Sequence, residues 1–131
     1  MTVRDQLIEK LGAAILNDEG LMEEPSWKRL VLIVKFRKTS SRLQGVAILE
    51  SGGTAPVTTE NDGDEGVVSV LQQLRKVMAK EDKSGPFVAW LIRLAKESGE
   101  MDIDFEHKNP DRWDYDPRDR ADMRKKLKLD E

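Results

Sequence analysis

The chain contains no cysteine, which excludes disulfides, thiol nucleophiles and cysteine-ligated zinc. Histidine occurs once, as His107, so a cluster of imidazole ligands is excluded. No Gly-x-Ser-x-Gly or comparable nucleophile setting accompanies it, and it reads as a surface or strand-end residue. No apolar run approaches the roughly 20 residues of a membrane span. The opening Met-Thr-Val-Arg-Asp-Gln lacks the uninterrupted apolar stretch of a secretory signal. Gly52, Gly53, Gly63 and Gly66 do not fit a phosphate-loop spacing, and no Walker lysine follows them. These absences lead to the expectation of a cytoplasmic protein with no cofactor, no resident metal and no membrane partner.

What is present fits one small globule. A length of 131 residues suits a single hydrophobic core, so residues 1–131 are expected to form one domain. Apolar stretches at 30–36 and 87–94 can build that core, which argues against disorder throughout. Charge is unevenly spread. Residues 1–96 are close to neutral, whereas residues 97–119 carry nine acidic side chains against Lys108, Arg112 and Arg118. Such a segment repels phosphate and attracts basic surfaces, making nucleic acid a poor direct ligand for it.

Periodicity gives the order α-β-β-α-β-β-α. Val3, Leu7, Ile8, Leu11, Ala14 and Ile15 recur at helical spacing over 2–17, with Thr2 and Asp5 placed as a capping box. Residues 27–38 and 42–50 read as strands of an antiparallel hairpin, with a possible continuation after a bend around 55–59. A helix over 64–80 carries the stripe Val67, Val68, Leu71, Leu74, Val77 and Met78. Strands follow at 87–96 and 101–106, joined tightly at Ser98-Gly99. Asp116 as N-cap and Pro117 as first helical residue open a last helix, with Met123 and Leu127 facing inward and Arg120, Arg124, Lys125 and Lys128 mostly outward. The expected fold is α+β, a four-stranded antiparallel sheet with packed helices.

Asp102, Asp104 and Glu106 form a row on one face of the last strand. Three carboxylates so placed repel one another unless a cation, a basic partner or solvent compensates them. A solvated face, a docking surface and a metal site all remain open. The metal site is the poorest of the three, because alternate strand residues lie about 7 Å apart. Glu106 and Lys108 also have the spacing seen in metal-dependent nucleases, where the carboxylate helps hold a divalent ion and the lysine helps position water. That set needs a further acid, from Asp82 or Glu97. The basic stretch 120–128 is explained by the helix dipole, which favours cations near a helix C-terminus.

The loop 109–117 places Trp113 and Tyr115 among Asp111, Asp114 and Asp116, bounded by prolines. These aromatics either contact a partner or fold back over the sheet. Phe105-Glu106-x-x-Asn109-Pro110-x-x-Trp113-x-Tyr115-x-Pro117, preceded by Gly-Glu-Met-Asp-Ile-Asp and followed by a short helix, resembles the C-terminal half of YezG-like bacterial immunity proteins. His107-Lys108 departs from the more acidic or aromatic turn of that group, and the N-terminal half matches in pattern alone. The resemblance implies a non-enzymatic cytosolic protein that neutralises the toxin domain of a polymorphic or contact-dependent growth inhibition system, often a nuclease. An acidic surface suits a basic cleft. The expected contact residues are Asp102, Asp104, Glu106, Asp111, Asp114 and Asp116, with Trp113 and Tyr115 as anchors. The carboxylates are expected to stand in water until a cationic partner covers them. The rival readings are a small nuclease using Glu106 and Lys108, and a general protein-binding adaptor.

Overall fold

The computed structural model describes residues 2–36, 41–59, 66–81, 87–114 and 118–127, without the side chains at 41, 81 and 120. Among the described residues eight elements follow one another: α1 (Val3–Leu16), β1 (Trp27–Phe36), β2 (Ser41–Leu49), β3 (Thr54–Val57), α2 (Val67–Glu81), β4 (Ala89–Ala95), β5 (Met101–Glu106) and α3 (Arg120–Leu127). The fold is α+β, but its antiparallel sheet has five strands, ordered β3-β2-β1-β4-β5. The extra strand is β3, four residues after the bend that follows β2. Gly52 turns that corner at a φ of 91°, a left-handed conformation that glycine tolerates.

β1 is the centre of the sheet, hydrogen-bonded to β2 on one side and β4 on the other. Its run Leu30 to Val34 is buried on both faces, as expected of a strand sandwiched between layers. On the first face, Leu30, Leu32, Val34, Trp90, Ile92 and Leu94 pack beneath Leu11, Ala14 and Ile15 of α1 and Val67, Val70, Leu71 and Leu74 of α2. Edge-to-face contacts of Trp90 with Phe36, Phe87 and Phe105 close one end of this core. α1 starts with the expected capping box, Thr2 and Asp5 exchanging backbone-to-side-chain hydrogen bonds. Beyond its end, the buried Asp18 accepts hydrogen bonds from the Gly20 and Leu21 amides and from the Thr59 hydroxyl. The segment after α1 is thereby tied to the segment after β3.

The second face carries Val31, Ile33, Val46, Ile48, Ala89 and Leu91, covered by Trp113, Met123 and Leu127. Helices therefore lie on both sides of the sheet. α3 starts at Arg120, and the Asp119 carboxylate accepts from the Asp122 amide in the N-cap manner. The cap of the described helix is Asp119. Tyr115, Asp116 and Pro117, together with Lys128 and Asp82, lie outside the described residues. Among the described residues no helix is long and apolar enough to cross a membrane.

Candidate partner-binding surface

β5 is a sheet edge, and strand alternation places Met101, Ile103 and Phe105 on the α1/α2 face and Asp102, Asp104 and Glu106 on the α3 face. The three carboxylates do share one face, but they do not stand uncompensated. Asp102 lies directly across from Arg93 of β4, whose guanidinium is 3.9 Å from both Asp102 and Asp104. The expectation of carboxylates left to water until a partner arrives is corrected here: arginines of the same chain already face them.

Glu106 has a different task. Its Oε2 accepts from the Lys108 amide at 3.1 Å and the Asn109 amide at 3.4 Å, and its Oε1 accepts from Arg112 at 3.0 Å. These backbone hydrogen bonds, joined by Arg112, hold its pKa below the ordinary glutamate range. With a side chain only 16% exposed, Glu106 shapes the turn after β5 and is a poor group for meeting a partner. His107, just past the end of β5, stacks on Phe87 with ring centroids 4.5 Å apart.

The turn then folds over the sheet. Asn109 Oδ1 accepts from the Asp111 amide, and the Asp114 amide donates to the Asp111 carbonyl. Lys35 rises from β1 and meets Asp111 at 3.0 Å and Asp114 at 2.7 Å. Hydrogen bonding to Asp114, then Asp111, raises the Lys35 pKa, while Lys35 in turn lowers that of Asp111. This clamp holds the loop with Trp113 pressed onto Val31, Ile33 and Leu91; Trp113 is 2% exposed. Of the two roles open to it in the sequence, Trp113 takes the fold-back role. As an anchor for a partner it is corrected, because a buried indole offers no contact surface. Arg112 lies over its ring at 5.1 Å.

The register arranges the acids as an arc. Lys35 pairs with Ala89, and Ala89 with Glu106, so Asp111 and Asp114 lie across the sheet from the end of β5 while Asp102 and Asp104 continue along the edge. Exposure grades them: the side chains of Asp102, Asp111, Asp114 and Asp104 are 73%, 67%, 49% and 33% exposed. Beside Asp114 lies a polar hollow of about 290 Å³, lined by Ile33, Lys35, Arg42 and Gln44. Lys35 and Arg93 were not singled out in the sequence. Their signal is a cation interrupting an otherwise apolar strand that is buried on both faces, which requires a carboxylate from whatever element covers it.

Of the two acids that the nuclease arrangement could draw on, Asp82 lies outside the described residues. Glu97 sits in the β4–β5 turn, at the opposite end of β5 from Glu106. Among the described residues no group of three acidic or histidine side chains is placed to hold a metal ion. No family model and no curated protein matches the chain.

Proposed function

We propose that the protein is a non-enzymatic immunity protein that binds and neutralises the toxin domain of a bacterial contact-dependent growth inhibition system in the cytoplasm, the toxin being a nuclease with a basic cleft. The observation that carries the reading is the acidic arc along β5 and the following loop, with Asp102, Asp104, Asp111 and Asp114 displayed at the surface. The likeness of residues 105–117 to YezG-like immunity proteins supplies the biological setting. Internal pairing narrows the contact set without removing it. Asp102 and Asp111 keep most of their side chains in water, so an incoming lysine or arginine can join them while Arg93 and Lys35 stay in place. Glu106 and Trp113 instead keep the surface in shape.

The test is co-expression with the toxin encoded beside the gene, scoring growth rescue and co-purification. Replacing Asp102, Asp104 and Asp111 together by Asn is expected to slow association on the order of tenfold at low salt and to flatten its salt dependence. An unchanged association rate in a variant that melts like the parent defeats the acidic-arc reading. Nucleic-acid cleavage that responds to Mg²⁺ and is lost in Glu106→Gln would replace it by the nuclease reading.

A further inference from the structure

The two edges of the sheet differ. β3 is four residues long and contains Pro56, which lacks an amide donor and blunts that edge. β5 runs six residues without proline and ends the sheet on the other side. The Ala95 amide donates to the Glu100 carbonyl. With the β4–β5 register, this turns the backbone groups of Asp102, Asp104 and Glu106 toward β4 and those of Met101, Ile103 and Phe105 outward. At the start of β5 opens a mainly apolar groove of about 470 Å³, lined by Ile8, Gly12, Leu16, Trp27, Leu94 and Met101 among others, with Glu9 and Lys96 as its charged members. Leu16 is 53% exposed, and a Cβ added at Gly12 would meet nothing within 4 Å. Met101 belongs to both features, so groove and edge are continuous.

We infer that β5 and this groove take up an extended segment of a partner protein as a sixth strand, with apolar residues alternating with Lys or Arg. Alternation makes the pattern specific. Side chains of the added strand on the α1/α2 face would lie beside Met101, Ile103 and Phe105 and reach the groove; those on the α3 face would lie beside Asp102 and Asp104. Apolar residues fit the first row and cations the second. A second copy of the chain is disfavoured, because antiparallel β5–β5 pairing sets aspartates against aspartates. The inference rests on the reading of the chain as a protein-binding module and names the chemistry of the bound segment.

The probe is an acetylated eight-residue peptide, Lys-Val-Arg-Ile-Lys-Val-Arg-Ile, titrated into the ¹⁵N-labelled full chain. The same peptide with Glu at every basic position serves as control. Expected are shifts and slowed amide exchange at Met101, Ile103 and Phe105, with affinity on the order of tenfold above that of the acidic peptide. Gly12→Leu fills the groove where space is open and is expected to weaken the basic peptide on the order of tenfold with the melting curve preserved. Ile103→Pro removes an outward donor while leaving the bonds to β4, and is expected to act likewise. Because each variant acts by a separate route, failure of one to fold leaves the other as the test. Absence of binding, equal binding of both peptides, or shifts confined to other surfaces overturns the inference. Peptide binding without rescue from any neighbouring toxin would retain the edge site and refute the toxin reading; rescue without peptide binding would do the reverse.

Discussion

Trp113→Ala separates an indole that covers the sheet from one that reaches a partner. A buried tryptophan removes roughly 200 Å² from water, and at about 25 cal/mol per Å² that is about 5 kcal/mol as an upper bound. Aromatic-to-alanine core replacements cost about 3–5 kcal/mol. Met123 and Leu127 are the other described side chains covering Val31, Ile33 and Leu91, so little material is at hand to refill the space. The loop stays held by Lys35 when the indole is removed, so loop detachment does not add to the cost, which is set at about 3 kcal/mol. Urea melts followed by circular dichroism measure it directly, and Trp27 and Trp90 remain as fluorescent reporters in the other core. A chain of this length has a total stability of roughly 7–20 kcal/mol, so the variant stays folded in water with an earlier midpoint. A midpoint unchanged within about 0.5 kcal/mol, together with lost partner binding, would refute the covering role and restore the anchor role.

Gly45→Ala is expected to destabilise by about 1–3 kcal/mol through overpacking, since the new Cβ would lie 2.8 Å from both the Val57 side chain and the Val57 carbonyl; hydrogen exchange at β3 is the readout. Glu106 has a folded pKa below its ordinary 4.5, so its stabilisation is present above pH 4.5 and lost as pH falls through the depressed value. Glu106→Gln should flatten that acid limb in a series of melts. Lys35 has a folded pKa above its ordinary 10.5, so its stabilisation is fully present below pH 10.5 and lost as pH rises through the raised value. Lys35→Met should flatten the alkaline limb and loosen the 109–114 loop, seen as faster amide exchange at Asp114.

Local periodicity made most of the elements legible, and long-range closure hid the rest. α1 and its capping box, the β1–β2 hairpin and the alternation of β5 all rest on neighbours in sequence, where spacing is decisive. β3 escaped full assignment because four residues with a central proline carry little strand pattern. Asp116-Pro117 looked like the start of α3, yet Asp119 caps it; several aspartates precede a helix of only eight residues, and any of them suits an N-cap. The second core was written in β1, where Val31 and Ile33 alternate with Leu30, Leu32 and Val34 and all are apolar. What covers it was not, since Trp113, Met123 and Leu127 come from a loop and a short helix with no shared period. The pairing of the carboxylates was hidden for a similar reason, because Arg93 meets Asp102 only once the β4–β5 register is known.

On the proposed mode of binding, arc and edge divide the work between encounter and retention. Asp102 and Asp111 are the most exposed acids of the arc, and their fields reach a basic partner across the roughly 8 Å Debye length of physiological salt. Both carboxylates are largely in water, so a partner cation can join them without displacing Arg93 or Lys35. Such charges act on the association rate. The groove beside α1 and the outward amides of β5 act after encounter, where desolvation and hydrogen bonding set the dissociation rate. The two sets of variants should therefore separate in one kinetic experiment on the same partner. Asp111→Asn, away from the added strand, lowers the association rate and its salt slope while the dissociation rate holds, and Gly12→Leu raises the dissociation rate while the association rate holds. If both variants moved the same rate constant, arc and edge would be one energetic unit and the division of labour would fall.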